Sequence, residues 1–197
     1  MNGEPKSTIA FFLSSAGPMR TNNFLRKADI MSNGKVLVVM GSDSDFPVME
    51  KCFKMLSKFD VAYDAAVASA HRTPERAAKL ASEAESEGYD VIIAAAGLAA
   101  HLAGVLAAHT TLPVIGVPCK GGALNGVDAL YATVQMPTGI PVATVAIDGA
   151  ANAAILACQM IAIRDSELRA KLAEYKEELK SSVDAKDAAL KEKIANI

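Results

Sequence analysis

Tryptophan is absent from this 197-residue chain, aromatic residues make up only 5% of it, and there are just three cysteines and three histidines. Each scarcity excludes something. Cys52, Cys119 and Cys158 are odd in number, widely spaced and form no CxxC pair, which argues against a disulfide framework and against a zinc site, and fits a reducing, cytoplasmic setting. The formal net charge is −2 with both signs mixed, so nothing points to nucleic acid or an anionic membrane as a partner. Gly, Pro, His or charge interrupts every apolar run before it reaches a bilayer-spanning length. The chain also lacks a GxxxxGK loop followed by Ser or Thr, a GxGxxG turn after its first strand, and an HExxH pair. Nucleoside-triphosphate hydrolysis, dinucleotide binding and zinc catalysis are thereby disfavoured.

What is present is apolar: 51% hydrophobic against 21% charged residues is ample for one core. Residues 1–34 stand apart. They hold a short apolar patch, Ile9 to Leu13, preceded by Glu4, with Arg20, Arg26 and Lys27 among Ser, Thr and Asn. An organelle transit sequence is one reading. A disordered or vector-derived leader, or an upstream start with Met19 or Met31 as the working one, is the simpler reading, and the segment is set aside from fold reasoning.

From Lys35 strand and helix patterns alternate. Val36 to Met40 is an unbroken apolar run rich in Val, the mark of a strand covered on both faces. A helix over 46–57 follows, with Asp45 as N-cap and Pro47 in its first turn. Residues 61–68 form the second strand, and Thr73 caps the next helix with Pro74 at its first position, Glu75 near its positive end and Gly88 at its close. Strands over 90–95, 113–117 and 141–147 continue the series, separated by a helix that ends before Pro113 and another over about 125–135. Strict alternation predicts a three-layer α/β fold, a doubly wound, flavodoxin-like parallel sheet in the order 2-1-3-4-5. This catalytic domain spans 35–165, and a C-terminal amphipathic helix occupies 166–197. The helix over 150–163 is apolar around much of its circumference, more than a monomer readily buries, so a second surface is expected to cover it. Leu168, Leu172, Tyr175 and Leu179 recur at helical spacing among Lys and Glu, a stripe that docks either on its own domain or on a neighbour.

In such a sheet the loops leaving the strands meet along one edge, which is where these folds bind ligands. Loop one brings Gly41, Ser42, Asp43, Ser44 and Asp45; loop two Ser69, Ala70, His71 and Arg72; loop three Gly97, His101 and Leu102; loop four Cys119, Lys120, Gly121 and Gly122. Arg72 beside a helix N-terminus suits a phosphate. Two carboxylates in loop one would repel a phosphate held wholly inside it, so one caps the helix or faces solvent and the other is free for sugar hydroxyls. The plainer alternative is that all four polar residues of loop one merely cap. His71 is the first candidate for chemistry, since an imidazole can give and take a proton near neutral pH; the alternative is a structural histidine. His101 either lines the pocket or caps local structure, and His109 is a helix-dipole partner. Cys119 has no base adjacent in sequence and reads as packing.

Gly-Ser-Asp-Ser-Asp at 41–45, Ser-Ala-His-Arg-Thr-Pro at 69–74, Ala-Ala-His-Leu at 99–102, Gly-Val-Asp-Ala-Leu at 126–130 and Val-Gln-Met-Pro-Thr-Gly-Ile-Pro at 134–141 resemble the PurE family of purine biosynthesis. The resemblance covers about residues 35–165. It implies a homo-octamer that interconverts carboxylated aminoimidazole ribonucleotides with no metal or organic cofactor. His71 becomes the general acid/base, Arg72 the phosphate ligand and Asp45 the ribose ligand. Ser42 joins them, and Ser69, Ala70, Gly97, His101 and Leu102 complete a pocket that holds transient CO2. The pair His71-Arg72 resembles the class I mutases, which act on N5-carboxyaminoimidazole ribonucleotide; class II carboxylases, which take aminoimidazole ribonucleotide and CO2 directly, carry His-Lys. Leu98 and Ala95 stand where many class I members have Gly, Ala103 where they have Pro, and Cys119 to Gly122 replaces a Val-Gln-Ser type run. A rival of another kind is a non-catalytic, flavodoxin-like nucleotide-binding module, for which the two Asp of loop one and the missing Trp are a poor fit.

Overall fold

The sheet is built around β1 (Lys35–Met40), whose apolar residues alternate between two cores. Val36, Val38 and Met40 face one layer, while Leu37 and Val39 face the other. The computed structural model describes residues 34–197, so the leader expected at the N-terminus lies, but for Gly34, outside the described residues. Four more strands complete the sheet: β2 (Ala62–Val67), β3 (Val91–Gly97), β4 (Val114–Cys119) and β5 (Ala143–Thr144). All pair in parallel in the order β2-β1-β3-β4-β5. That is the flavodoxin-like arrangement expected from the alternation of elements, with each parallel crossover made through a helix.

On one face lie α1 (Phe46–Lys58), α5 (Ala150–Ile161) and the start of α6 (Ser166–Ala195). On the other lie α2 (Pro74–Glu83) and α3 (Leu102–Ala107), while α4 (Val127–Val134) packs against β4 and β5. The apolar helix is covered in part by the chain itself, while Ile163 just past its end stays exposed. Ala150, Ala153, Ala154, Ala157, Cys158 and Ile161 are buried within the chain's own core, against α1, the sheet and α6. Small side chains are the reason, because a row of Ala lets two helices approach closely and still exclude water. The stripe on α6 splits the two alternatives: Leu168 and Leu172 are buried and Tyr175 meets Phe59 edge-on at 5.5 Å, whereas Leu179 is half exposed. Asp165 caps this helix, accepting from the backbone N–H groups of Glu167 and Leu168 at 3.0 Å.

Two strands differ in their bounds from those expected. β5 has two residues instead of the seven from 141 to 147, since Pro141 cannot donate to a ladder and the strand lies at the sheet edge. Beyond it the chain keeps only isolated bonds to β4, Val145 N–H to Gly116 O at 3.1 Å and Asp148 N–H to Pro118 O at 2.9 Å. β3 begins after Asp90, whose carboxylate instead accepts the Lys35 N–H at 2.9 Å and pairs with Arg164.

Gly116, central in β4, faces α4. A Cβ there would overlap Thr133 Cγ2 and come within 2.9 Å of Val142 Cγ1. Gly116→Ala is therefore expected to lower stability by about 1–3 kcal/mol through overpacking, read from the urea midpoint; an unchanged midpoint would mean α4 moves aside freely.

Candidate active site

Loop one turns sharply at Gly41, and Ser42 opens a single 3-10 turn over Asp43–Asp45 that runs into α1. Ser42 Oγ accepts the Ser44 N–H at 3.3 Å, and the Asp45 carboxylate reaches back to the Ser42 N–H at 3.0 Å. This reciprocal capping answers which acidic residue is tied down. Asp45 stands at the N-cap of α1 as expected, but its side chain bonds the short turn before the helix instead of the helix itself, while Asp43 is exposed and accepts from Ser42 Oγ at 3.1 Å.

Half-burial pushes the Asp45 carboxyl above the ordinary carboxylate range, and neighbouring Asp43 adds to this, with the Ser42 N–H opposing. A carboxyl raised in the folded state contributes stability below its unfolded value that is lost as pH rises through the folded one. Asp45→Asn keeps an acceptor for Ser42 and removes the buried charge. It is expected to melt at a higher temperature than the parent at pH 7, with the difference shrinking towards about pH 3, where an Asp is largely protonated. A lower melting temperature at pH 7 would show the charge to be stabilising.

In loop two Thr73 occupies the N-cap of α2, yet its hydroxyl makes no cap to the helix. It closes the loop instead, accepting the Ser69 N–H at 2.9 Å and donating to Ser69 O at 3.2 Å. Ser69 Oγ in turn accepts from Arg72, from the backbone N–H at 3.2 Å and from Nε at 3.4 Å. The guanidinium continues across to loop one, where Nη2 donates to Gly41 O at 3.3 Å. Arg72 is thus a strut between two loops.

His71 faces loop three. Its Nε2 lies 2.9 Å from His101 Nδ1, with the rings edge-on and their centroids 5.0 Å apart. Between two neutral imidazoles one nitrogen donates and the other accepts, so the contact links the tautomer of one ring to that of its neighbour. His101 sits at the N-cap of α3 without a side-chain cap bond. Leu98, just before it, has a positive φ of 55°, and its side chain lies against Gly122 of loop four. Gly97 lies so close to β4 that a Cβ would meet Cys119 O at 3.3 Å.

These loops enclose one cavity of about 570 Å3 at the carboxyl edge of the sheet. Every residue proposed from the sequence lines it: Ser42, Asp45, Ser69, Ala70, His71, Arg72, Gly97, His101 and Leu102. Ser44, Ala96, Leu98, Ala99, Lys120, Gly121 and Gly122 line it as well. Ala96 carried no chemical signal; only its place at the end of β3 could have found it. Cys119 lies beneath the cavity and outside its lining, and burial pushes its thiol up to about 12. A thiol so held is a poor nucleophile. Arg72, His71 and His101 are exposed, while Leu102 is buried at the floor. The arrangement offers a guanidinium and a free amino group, Lys120, to anions, and an imidazole pair to a proton in transit.

The family model described as AIR carboxylase matches residues 35–182. Over 146 residues the chain is 58% identical to the N5-carboxyaminoimidazole ribonucleotide mutase of Pyrococcus abyssi, covering 74% of this chain and 84% of that one. It is 53% identical over 153 residues to the phosphoribosylaminoimidazole carboxylase of Candida glabrata, covering 78% of this chain and 27% of that larger one. The crystal structure of Treponema denticola PurE matches with a TM-score of 0.74 at 29% identity, over 80% of this chain and 99% of that one.

Proposed function

The chain belongs to the AIR carboxylase family, and we propose on that footing that it is an isomerase of purine biosynthesis, interconverting N5-carboxyaminoimidazole ribonucleotide and 4-carboxy-5-aminoimidazole ribonucleotide. The observation that carries this reading is the convergence of His71, paired with His101, and Arg72, bridging to Gly41, on one cavity.

Arg72 holds the 5′-phosphate beside the N-terminus of α2, where charge and free N–H groups both favour an anion. Asp45, which lines the cavity and holds the Ser42 N–H with one carboxylate oxygen, accepts from the ribose hydroxyls with the other, and Ser42 donates to the sugar phosphate. In the forward direction the bond between the exocyclic nitrogen and its carboxylate breaks, releasing CO2 while the nitrogen takes a proton. Ring carbon C4 then attacks the trapped CO2, and the new C–C bond leaves C4 carrying both a carboxylate and its original hydrogen. His71 supplies the first proton and removes the second, so no net proton is exchanged. Ser69, Ala70, Gly97 and Leu102 wall the space in which CO2 waits, keeping water away from it. His101 orients the His71 ring through the 2.9 Å contact.

The class II reaction is the rival on the same fold. Assays with N5-carboxyaminoimidazole ribonucleotide, and separately with aminoimidazole ribonucleotide plus bicarbonate, separate the two. Rapid product from the first alone is expected; rapid product from the second alone would overturn the mutase reading. The binding-module alternative fails if either ribotide turns over.

The enzyme works as a homo-octamer in the cytoplasm. Exposed Phe46, Tyr63 and Val67 at the β2 edge, and Leu124, Val127, Tyr131 and Val134 around α4, are apolar surface of the kind that subunit contacts cover. Three free, buried cysteines suit a reducing compartment.

A further inference from the structure

Along α6 and just past its end at Ala195 a pattern of mostly apolar residues recurs every eleven residues. Leu168, Leu172 and Tyr175 are followed by Leu179, Val183 and Lys186, then by Leu190, Ile194 and Ile197. An eleven-residue period, at 3.67 residues per turn, keeps a stripe on one side of a nearly straight helix. The first set is spent on the chain's own core and on Phe59. Leu179, Val183, Leu190 and Ile194 are each at least half exposed, and most of this uncovered stretch lies beyond residue 182, where the family model's match stops.

We propose that the outer half of α6 pairs antiparallel with α6 of a second copy of this chain, about a two-fold axis passing between Lys186 and Asp187. The spacing carries the inference. Along Leu179, Val183, Leu190 and Ile194 the steps are four, seven and four, a sequence that reads the same from either end. Reversing one helix therefore sets Leu179 over Ile194 and Val183 over Leu190, twice each, which is what a self-complementary interface demands. The one polar residue on the stripe, Lys186, then falls beside Asp187 of the second copy. Asp187 already pairs with Lys191 of its own helix at 2.6 Å, so the axis is flanked by alternating charges. Lys180 and Lys193 share a level in this register, and Lys180 brings Glu177 with it at 3.4 Å. A parallel pairing would instead stack Lys186 on Lys186 within the stripe. The aromatic groove formed by Phe46, Phe53 and Tyr63 and the exposed apolar side chains around α4 are further apolar surfaces on a second copy, but neither carries a helix with the four-seven-four spacing.

Single introduced cysteines in the full chain test the register, because Cys52, Cys119 and Cys158 are buried and leave the introduced thiol as the reactive one. Under diamide at low micromolar protein, Asp187→Cys is expected to give mostly cross-linked dimer and Leu179→Cys almost none, since Leu179 of one copy lies about 22 Å along the axis from Leu179 of the other at 1.5 Å rise per residue. The double variant Leu179→Cys with Ile194→Cys should cross-link again. Adding Leu190→Asp to Asp187→Cys should cut its dimer yield at least fivefold while turnover stays at the parent level. Equal cross-linking at 179 and 187 would mean parallel pairing and overturn the proposal. No cross-linking at 187 would mean that α6 stays free or docks on the body of another subunit, and would overturn it equally.

Discussion

His71→Asn is expected to lose turnover by about 10²–10⁴-fold, the usual worth of a positioned general acid/base, while ribotide affinity stays within about threefold of the parent by the same separation of roles. Asn matches imidazole in approximate size and can keep one hydrogen bond to His101, whose Nδ1 lies 2.9 Å from His71 Nε2 in the parent. It cannot carry a proton between the exocyclic nitrogen and C4. Steady-state rates together with a binding isotherm decide the matter. Near-parental turnover would remove His71 from the proton path. Equal losses in turnover and affinity would make it a binding group instead.

The second large effect is at Arg72. Arg72→Ala removes the guanidinium proposed to grip the 5′-phosphate, and a charge-assisted bond of this kind contributes about 1.5–3 kcal/mol. Ribotide affinity should fall about 10- to 100-fold by the same conversion. The free protein should also change, because Arg72 ties Gly41 O to Ser69 Oγ. Looser amide protection in loops one and two is the companion observation. Inorganic phosphate restoring part of the turnover of a 5′-dephosphorylated substrate in the parent, but not in the variant, would assign the contact to phosphate specifically. Unchanged affinity would contradict the role.

Much of this site is legible in the sequence because loops that follow parallel strands have little choice of where to go. Once Val36 to Met40 reads as a strand buried on both sides, Ser42, His71, Gly97 and Lys120 must emerge at the same edge. The pairing of His71 with His101 was not legible. It depends on the backbone turn at Leu98, where a positive φ is adopted by a residue that rarely takes it. Which face of α5 is covered is not legible, because hydrophobic periodicity counts Ala as apolar without weighing how little volume it fills against a neighbour. The brevity of β5 follows from Pro141 and from the edge position that the order 2-1-3-4-5 gives it, both of which the sequence carries. Residue type places the Thr73 hydroxyl on the helix, whereas the loop behind it holds its partners, the N–H and O of Ser69.

All three sulfhydryls, at Cys52, Cys119 and Cys158, are buried, and burial holds each near 12. At physiological pH almost none is in the anionic form that peroxide or an alkylating reagent attacks. The folded protein should therefore keep its catalytic competence through storage in air without dithiothreitol, and become sensitive only when denaturant opens the core.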